Sequence, residues 1–216
     1  MVSSIVTSSE STVARHDDEQ VYCLRIELDR TKPLVWRKIE IATSATFWDL
    51  HVAIQDSFGW LDFHSHEFPI GRGVGRIDIG IPHEFQEKPI VSGWTVQISK
   101  YLSHLRQLTY IYDFGDDWHH TIHLEEVRDA DGGNYPRCLA GENATPPEDC
   151  GGVYGFEELK QVLTKPRSTR YREMRDWLSN RSDKVYWPFD PNAFDLTTVQ
   201  FTDAKSRLKR LLKNAG

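Results

Sequence analysis

No stretch of this 216-residue chain approaches the roughly 20 consecutive apolar residues of a membrane helix. Nor does a basic start lead into the apolar run of a secretory signal. A soluble, cytoplasmic protein with no membrane partner is therefore expected. Cysteine is scarce and odd in number, at Cys23, Cys138 and Cys150, which excludes a disulfide framework and implies reduced thiols. No CxxC pair is present, and Cys138 and Cys150 stand twelve apart, so a thiolate zinc site is poorly supported. Internal repeats are absent, and so is a surplus of positive charge. The net charge is −6, and residues 1–155 carry 13 Lys and Arg against 24 Asp and Glu. Most of such a surface repels a phosphate backbone, which excludes a general DNA-coating role. Residues 156–216 reverse the sign, with 13 against 8, so nucleic-acid or protein contact, if made, falls to the C-terminal helices through Lys205, Arg207, Lys209, Arg210 and Lys213.

What the chain does have is the composition of a globular protein, 39% hydrophobic and 12% aromatic, at a length that buries a sizeable core. Residues 1–20 are rich in Ser, Thr and charge without periodic hydrophobicity and read as a disordered tail. Residues 21–216 read as a single domain. YCLRIEL at 22–28 and WRKIEI at 36–41 alternate around a polar turn containing Pro33, a β-hairpin pattern. Thr46 and Asp49 form a capping pair ahead of Phe47, Leu50, Ile54 and Phe58 at helical spacing, with Gly59 as the stop. Further strands are expected at 66–70, 74–79, 94–98, 108–114 and 118–127, and helices from about 156, at 156–163, 169–179 and near the end. The resulting class is α+β, an antiparallel or mixed sheet with a helix packed on one face and a helical C-terminal part.

Chemistry concentrates in two glycine-broken polar blocks, YDFGDDWHHTIHLE at 112–125 and CLAGENATPPEDCGGVYGF at 138–156. In the first, period two places Trp118, His120, Ile122 and Leu124 on one strand face. The hairpin tip presents Asp116 and Asp117, with Asp113 just inside. In the second, Pro146 and Pro147 stiffen the delivery of Glu148 and Asp149, while Gly151 and Gly152 allow a sharp turn or close backbone approach. Binding candidates are Asp113, Asp116, Trp118, Glu148 and Asp149. Asp113, Asp116, His120 and Glu148 are the candidate ligands of a divalent metal, with His120 the candidate catalytic group. Against this stands a plainer reading, in which the aspartates accept backbone hydrogen bonds at turns and His120 is a core histidine. His64 and His66 have spacing that could chelate, but lack a third ligand; His51 sits on the apolar face of its helix and reads as core.

Two patterns mislead. DFG at 113–115 imitates a kinase metal signature, yet the glycine loop, strand lysine and catalytic loop are missing. Gly71, Gly73 and Gly75 lack the strand-to-helix setting of a phosphate loop and read as a hairpin turn.

Together, RIELDRTKPLVWRKIEI, DLHVAIQDSFGWLDFHSHEF and the two polar blocks resemble the plasmid pRiA-type ORF-three-like family, in order from about Tyr22 to Leu196. Some members of that family are labelled insertion-element passenger proteins of TnpR type. The resemblance implies an α+β domain linked by name to plasmids and mobile elements, and no established reaction. Pattern positions include Trp36, His51, Trp60, His64, Asp113, Asp116, Trp118, His120, Glu148, Asp149, Gly151 and Gly152. The resolvase label does not transfer, because a nucleophilic serine amid arginines is not found in the acidic N-terminal region. Many relatives have cysteine where this chain has Thr145, which further weakens a thiolate site. The expectation is a binding or accessory domain; the alternative is a metal-dependent hydrolase or nuclease-like enzyme using the Asp/His/Glu cluster.

Overall fold

The structure is a computed structural model that describes residues 20–82 and 88–214. Eight strands form one open sheet in the order β5-β4-β3-β6-β7-β1-β2-β8. All neighbours pair antiparallel except β4 and β5, so the sheet is mixed. The tail expected over residues 1–20 lies outside the described residues except for Gln20, which opens the first strand.

The hairpin forms where alternation placed it. β1 (Gln20–Leu28) pairs with β2 (Val35–Ala42), and Thr31 closes the turn by donating to Leu28 O and accepting from Val35 N. Helix α1 (Phe47–Phe58) begins with both halves of the capping box between Thr46 and Asp49, an arrangement that stabilises a helix start by about 1 kcal/mol. It ends on Gly59 at φ 73°, the left-handed conformation that glycine adopts without a Cβ penalty. Phe47, Leu50, Ile54 and Phe58 are buried in the core with Leu24, Ile26, Phe68, Tyr110 and Ile122 of the sheet.

β3 (His66–Ile70) and β4 (Ile77–Gly80) join through the glycine-rich turn at 71–76, as an antiparallel hairpin. The strand expected at 74–79 therefore starts later, because Gly73–Gly75 form a 3₁₀ turn. The strand expected at 94–98 is not present. β5 (Ile90–Ser92) precedes it, and Gly93–Thr95 turn as 3₁₀, with Gly93 lying against the backbone at Trp48, where a Cβ would meet Trp48 N at 3.4 Å. Helix α2 (Ser99–Leu105) follows.

β6 (Gln107–Tyr112) and β7 (Trp118–Asp129) make the central hairpin. Trp118, His120, Ile122 and Leu124 are buried, while the opposite face of the sheet carries half-exposed polar groups such as Arg25, Glu27, Lys38 and His123. One dry and one wet face is the usual antiparallel solution. β8 (Arg137–Glu142) adds to β2 as an edge strand, which the polar reading of this block did not predict. The C-terminal part is helical: α3 (Gly152–Leu163), α4 (Thr169–Ser179) and α5 (Ala204–Asn214). No helix among the described residues is long and apolar enough to cross a membrane.

Candidate metal centre

The β3–β6 pairing sets the site. Its register matches His66 with Tyr112, and Asp113 N donates to Ser65 O at 3.0 Å. The segment entering β3 therefore runs beside the turn that leaves β6, and His64 comes against Asp113. The loop at 61–64 is pinned by side chains. Leu61 N donates to Glu148 Oε1 (2.7 Å), Asp62 N to Gln55 Oε1 (3.1 Å) and Phe63 N to the Tyr112 hydroxyl (3.1 Å). Three successive amides held in this way fix the backbone of His64 without regular secondary structure.

The turn after β6 divides the work of Asp113 between its two oxygens. At φ 56° Asp113 is left-handed, and its Oδ1 accepts from Gly115 N (2.9 Å) and Asp116 N (3.2 Å). The other oxygen, Oδ2, faces His64 Nε2 at 3.5 Å. The plainer reading of Asp113 as a turn acceptor and its reading as a ligand are thus compatible in one carboxylate.

The second block docks onto this turn. Asp116 Oδ2 accepts from Gly151 N at 3.2 Å, and Trp60 Nε1 donates to Pro146 O at 3.0 Å. Gly152, at φ 64°, lies so close to Asp116 O that a Cβ would collide with it, the close approach its sequence setting implied. Arg181 donates to Glu148 O (3.1 Å) and to Asp149 Oδ2 (3.0 Å). Held from both sides, Asp149 turns Oδ1 to His64 Nε2 at 3.0 Å.

His64, Asp113 and Asp149 therefore place one ligand atom each within 4.8 Å of one another. His64 Nε2 is sealed from solvent and has no hydrogen-bond partner, although two carboxylate oxygens flank it at 3.0 and 3.5 Å. Bonds of about 2.1 Å to a tetrahedral ion put ligand atoms about 3.4 Å apart. The observed pair of distances brackets that edge.

The remaining sequence candidates occupy supporting or core positions. Glu148 is fully buried, and burial raises its carboxyl above the usual range. It accepts from Leu61 N and from the Tyr112 hydroxyl (3.1 Å), so it braces the loop that bears His64. Asp116 ties turn to loop. Trp118 is fully buried, with its indole 6.0 Å from that of Trp60, and its Nε1 has no hydrogen-bond partner. His120 packs edge-on to Phe58 and Trp60, and its Nδ1 lies 3.4 Å from Tyr110 O. No carboxylate contacts its ring among the described residues. His66 does not chelate with His64. It stacks on His51 at 3.5 Å, while His51 bonds the Tyr110 hydroxyl and Asp62. Burial raises the Cys138 and Cys150 thiols, which disfavours thiolate ligation. Thr145 accepts from Arg37 instead. His64 was visible in sequence as half of a histidine pair and as a family-pattern position, but not as the partner of Asp113 and Asp149, and Arg181 carried no local signal.

Burial lowers the His120 imidazole to about 3 and His66 well below 6.5. Both are neutral when folded, whereas unfolding restores ordinary histidines that bind protons below pH 6.5. The unfolded state then binds more protons, so stability is complete above about pH 6.5 and falls as pH drops towards 3. For His120 alone the slope approaches about 1.4 kcal/mol per pH unit. Urea unfolding at pH 7.5, 6 and 5 should show this decline, and His120→Phe should reduce it; an unchanged slope would refute the assignment.

The sequence profile described as plasmid pRiA4b ORF-3-like protein matches residues 20–198. The chain is similar to an uncharacterized protein, y4hQ, of Sinorhizobium fredii (strain NBRC 101917 / NGR234). The two are 32% identical over 156 residues, covering 71% of this chain and 78% of the relative. It also resembles the crystal structure of a protein of unknown function, MM3350, from Methanosarcina mazei Go1. There the TM-score is 0.75 at 35% identity, covering 85% of this chain and 99% of the other.

Proposed function

The chain belongs to the plasmid pRiA4b ORF-3-like family, and from its site we propose that it is a cytosolic, divalent-metal-binding accessory domain of plasmids and mobile elements. The plasmid link rests on the family description, and the link to mobile elements on the insertion-element label that some members of the family carry. The metal reading rests on one observation: His64 Nε2, shielded from water and without a hydrogen bond, sits between carboxylate oxygens of Asp113 and Asp149. An ion there would satisfy the nitrogen lone pair and neutralise both carboxylates. One imidazole and two carboxylates suit zinc or manganese.

A second reading, metal-dependent hydrolysis, is favoured by the exposure of the Asp149 side of the site. Three protein ligands leave a coordination position free, and the Asp149 side chain is 51% exposed. Catalytic zinc sites keep such a position for water. Glu148 and Tyr112 would then support the loop bearing His64 rather than bind the ion.

Elemental analysis after dialysis against Zn²⁺ or Mn²⁺ tests the proposal. About one equivalent is expected in the wild type and none in His64→Ala or Asp149→Asn. Asp113→Asn should also lose the ion while keeping its fold, because an amide oxygen still accepts at the turn. Excess metal at 100 times its dissociation constant should stabilise the wild type by about 2.7 kcal/mol and leave Asp113→Asn unmoved. A correctly folded wild type that retains no metal, or a His64→Ala variant that retains it fully, would overturn the reading.

A further inference from the structure

His64 has a second neighbourhood. Besides facing the two aspartates it lines an open cleft of about 610 Å³ with Trp48, Phe63, Ile81, Arg207 and Arg210. That size lies within the range of small-molecule sites. One wall is α5, fixed in place by Trp48 Nε1 donating to Ala204 O at 2.8 Å and by Arg207 pairing with Asp56 and Asp62, each at 2.8 Å.

Those pairings decide the charge of the cleft. Asp62, the carboxylate lining it, is already spent on Arg207 and on His51. Arg210 follows Arg207 by three residues, which places it on the same helix face. It makes no hydrogen bond or ion pair among the described residues, so one unpaired arginine lines a cleft that is also lined by the metal ligand His64. With Arg207 balanced by Asp56 and Asp62, Arg210 leaves this wall of the cleft one uncompensated positive charge. Beside it Phe63 leaves 60% of its surface exposed, an apolar residue adjoining His64 on the same cleft.

We propose that the cleft binds a small phosphate ester carrying a flat ring, a nucleoside monophosphate being the simplest case. Its phosphate bridges the ion at His64, Asp113 and Asp149 to the Arg210 guanidinium, and its base stacks on Phe63. Phosphate suits both ends, because a dianion coordinates a divalent ion through one oxygen and accepts a forked guanidinium through two others. The inference rests on the metal reading above and adds the ligand class.

Calorimetry on Mn²⁺-loaded protein with AMP, inorganic phosphate and adenosine tests it. AMP should bind more tightly than phosphate, and adenosine weakest. Arg210→Gln, an exposed substitution, should weaken AMP and phosphate at least tenfold without changing metal uptake. Phe63→Ala should weaken AMP and leave inorganic phosphate alone. Metal-loaded protein that binds neither AMP nor phosphate, or binding indifferent to Arg210→Gln, overturns the phosphate assignment while sparing the metal centre. Protein that takes up no metal yet binds AMP through Arg210 overturns the ion and keeps the cleft. A Phe63→Ala variant that binds AMP normally removes the stacked base and reduces the ligand to a phosphate group.

Discussion

Gly155→Ala should cost at least about 3 kcal/mol of stability and abolish metal uptake. A Cβ at Gly155 would fall far inside van der Waals contact with Cys150 O and lie 2.7 Å from Cys150 C. Both are backbone atoms, so no flexible side chain can yield. The segment that would have to move is the one delivering Asp149, which Arg181 and His64 hold from either side. Displacing it also strains the contact between Gly151 N and Asp116 Oδ2. Gly75→Ala supplies the control, since open space surrounds its Cβ position and its effect should stay within about 0.5 kcal/mol. Urea unfolding and elemental analysis of both variants read the result. A Gly155→Ala protein as stable and as metal-competent as the control would show that the loop does not press on α3.

The second large effect concerns Arg37, which is buried in β2 without a carboxylate partner among the described residues. Its guanidinium donates to Ser57 O, Glu142 O, Asn143 O and Thr145 Oγ1, each at 3.0 Å, and to Trp36 O at 2.7 Å. It lies over the Phe194 ring at 4.1 Å. Burial lowers it to about 10, which still leaves it charged at neutral pH. The side chain thus joins the end of α1, the end of β8, the loop to Pro146 and the C-terminal segment. Arg37→Met should cost about 3 to 5 kcal/mol, because carbonyls already withdrawn from water lose their donors. Lysine should not rescue, since three donors on one nitrogen cannot reach acceptors spread around a planar fork. Unfolding of Arg37→Met and Arg37→Lys by urea measures this. A loss below about 1 kcal/mol would mean that the acceptors find other donors.

The parts of this architecture that could be read in advance are those fixed within a few residues. The capping box at Thr46 and the stop at Gly59 involve neighbours four or fewer positions apart. The alternation in β7 reports which side of a strand is dry, and the glycines at 151 and 152 mark backbone too crowded or too left-handed for a side chain. Strand order was not legible. The edge strand β8 is rich in polar and small residues and forms because β2 offers it an unpaired edge, and 94–98 did not form a strand because Trp94 and Thr95 complete the 3₁₀ turn that starts at Gly93, itself packed against the start of α1.

The site divides along the same line. By itself the sequence determined that Asp113 and Asp116 belong to a tight turn, that Glu148 and Asp149 ride on a stiff segment, and that His51 reads as core, while His120 stayed open between a core histidine and a catalytic or metal-binding group. Turn chemistry, proline stiffness and strand periodicity are local properties of a chain. Only the tertiary structure decided that His64 is the partner of Asp113 and Asp149, that Glu148 braces instead of facing the ligand atoms, and that Arg207 turns inward while Arg210 stays free. Those outcomes depend on the register of β3 against β6 and on how the second block docks onto the first. Register is set by which apolar faces the whole sheet can bury together, a condition that no short window of residues contains.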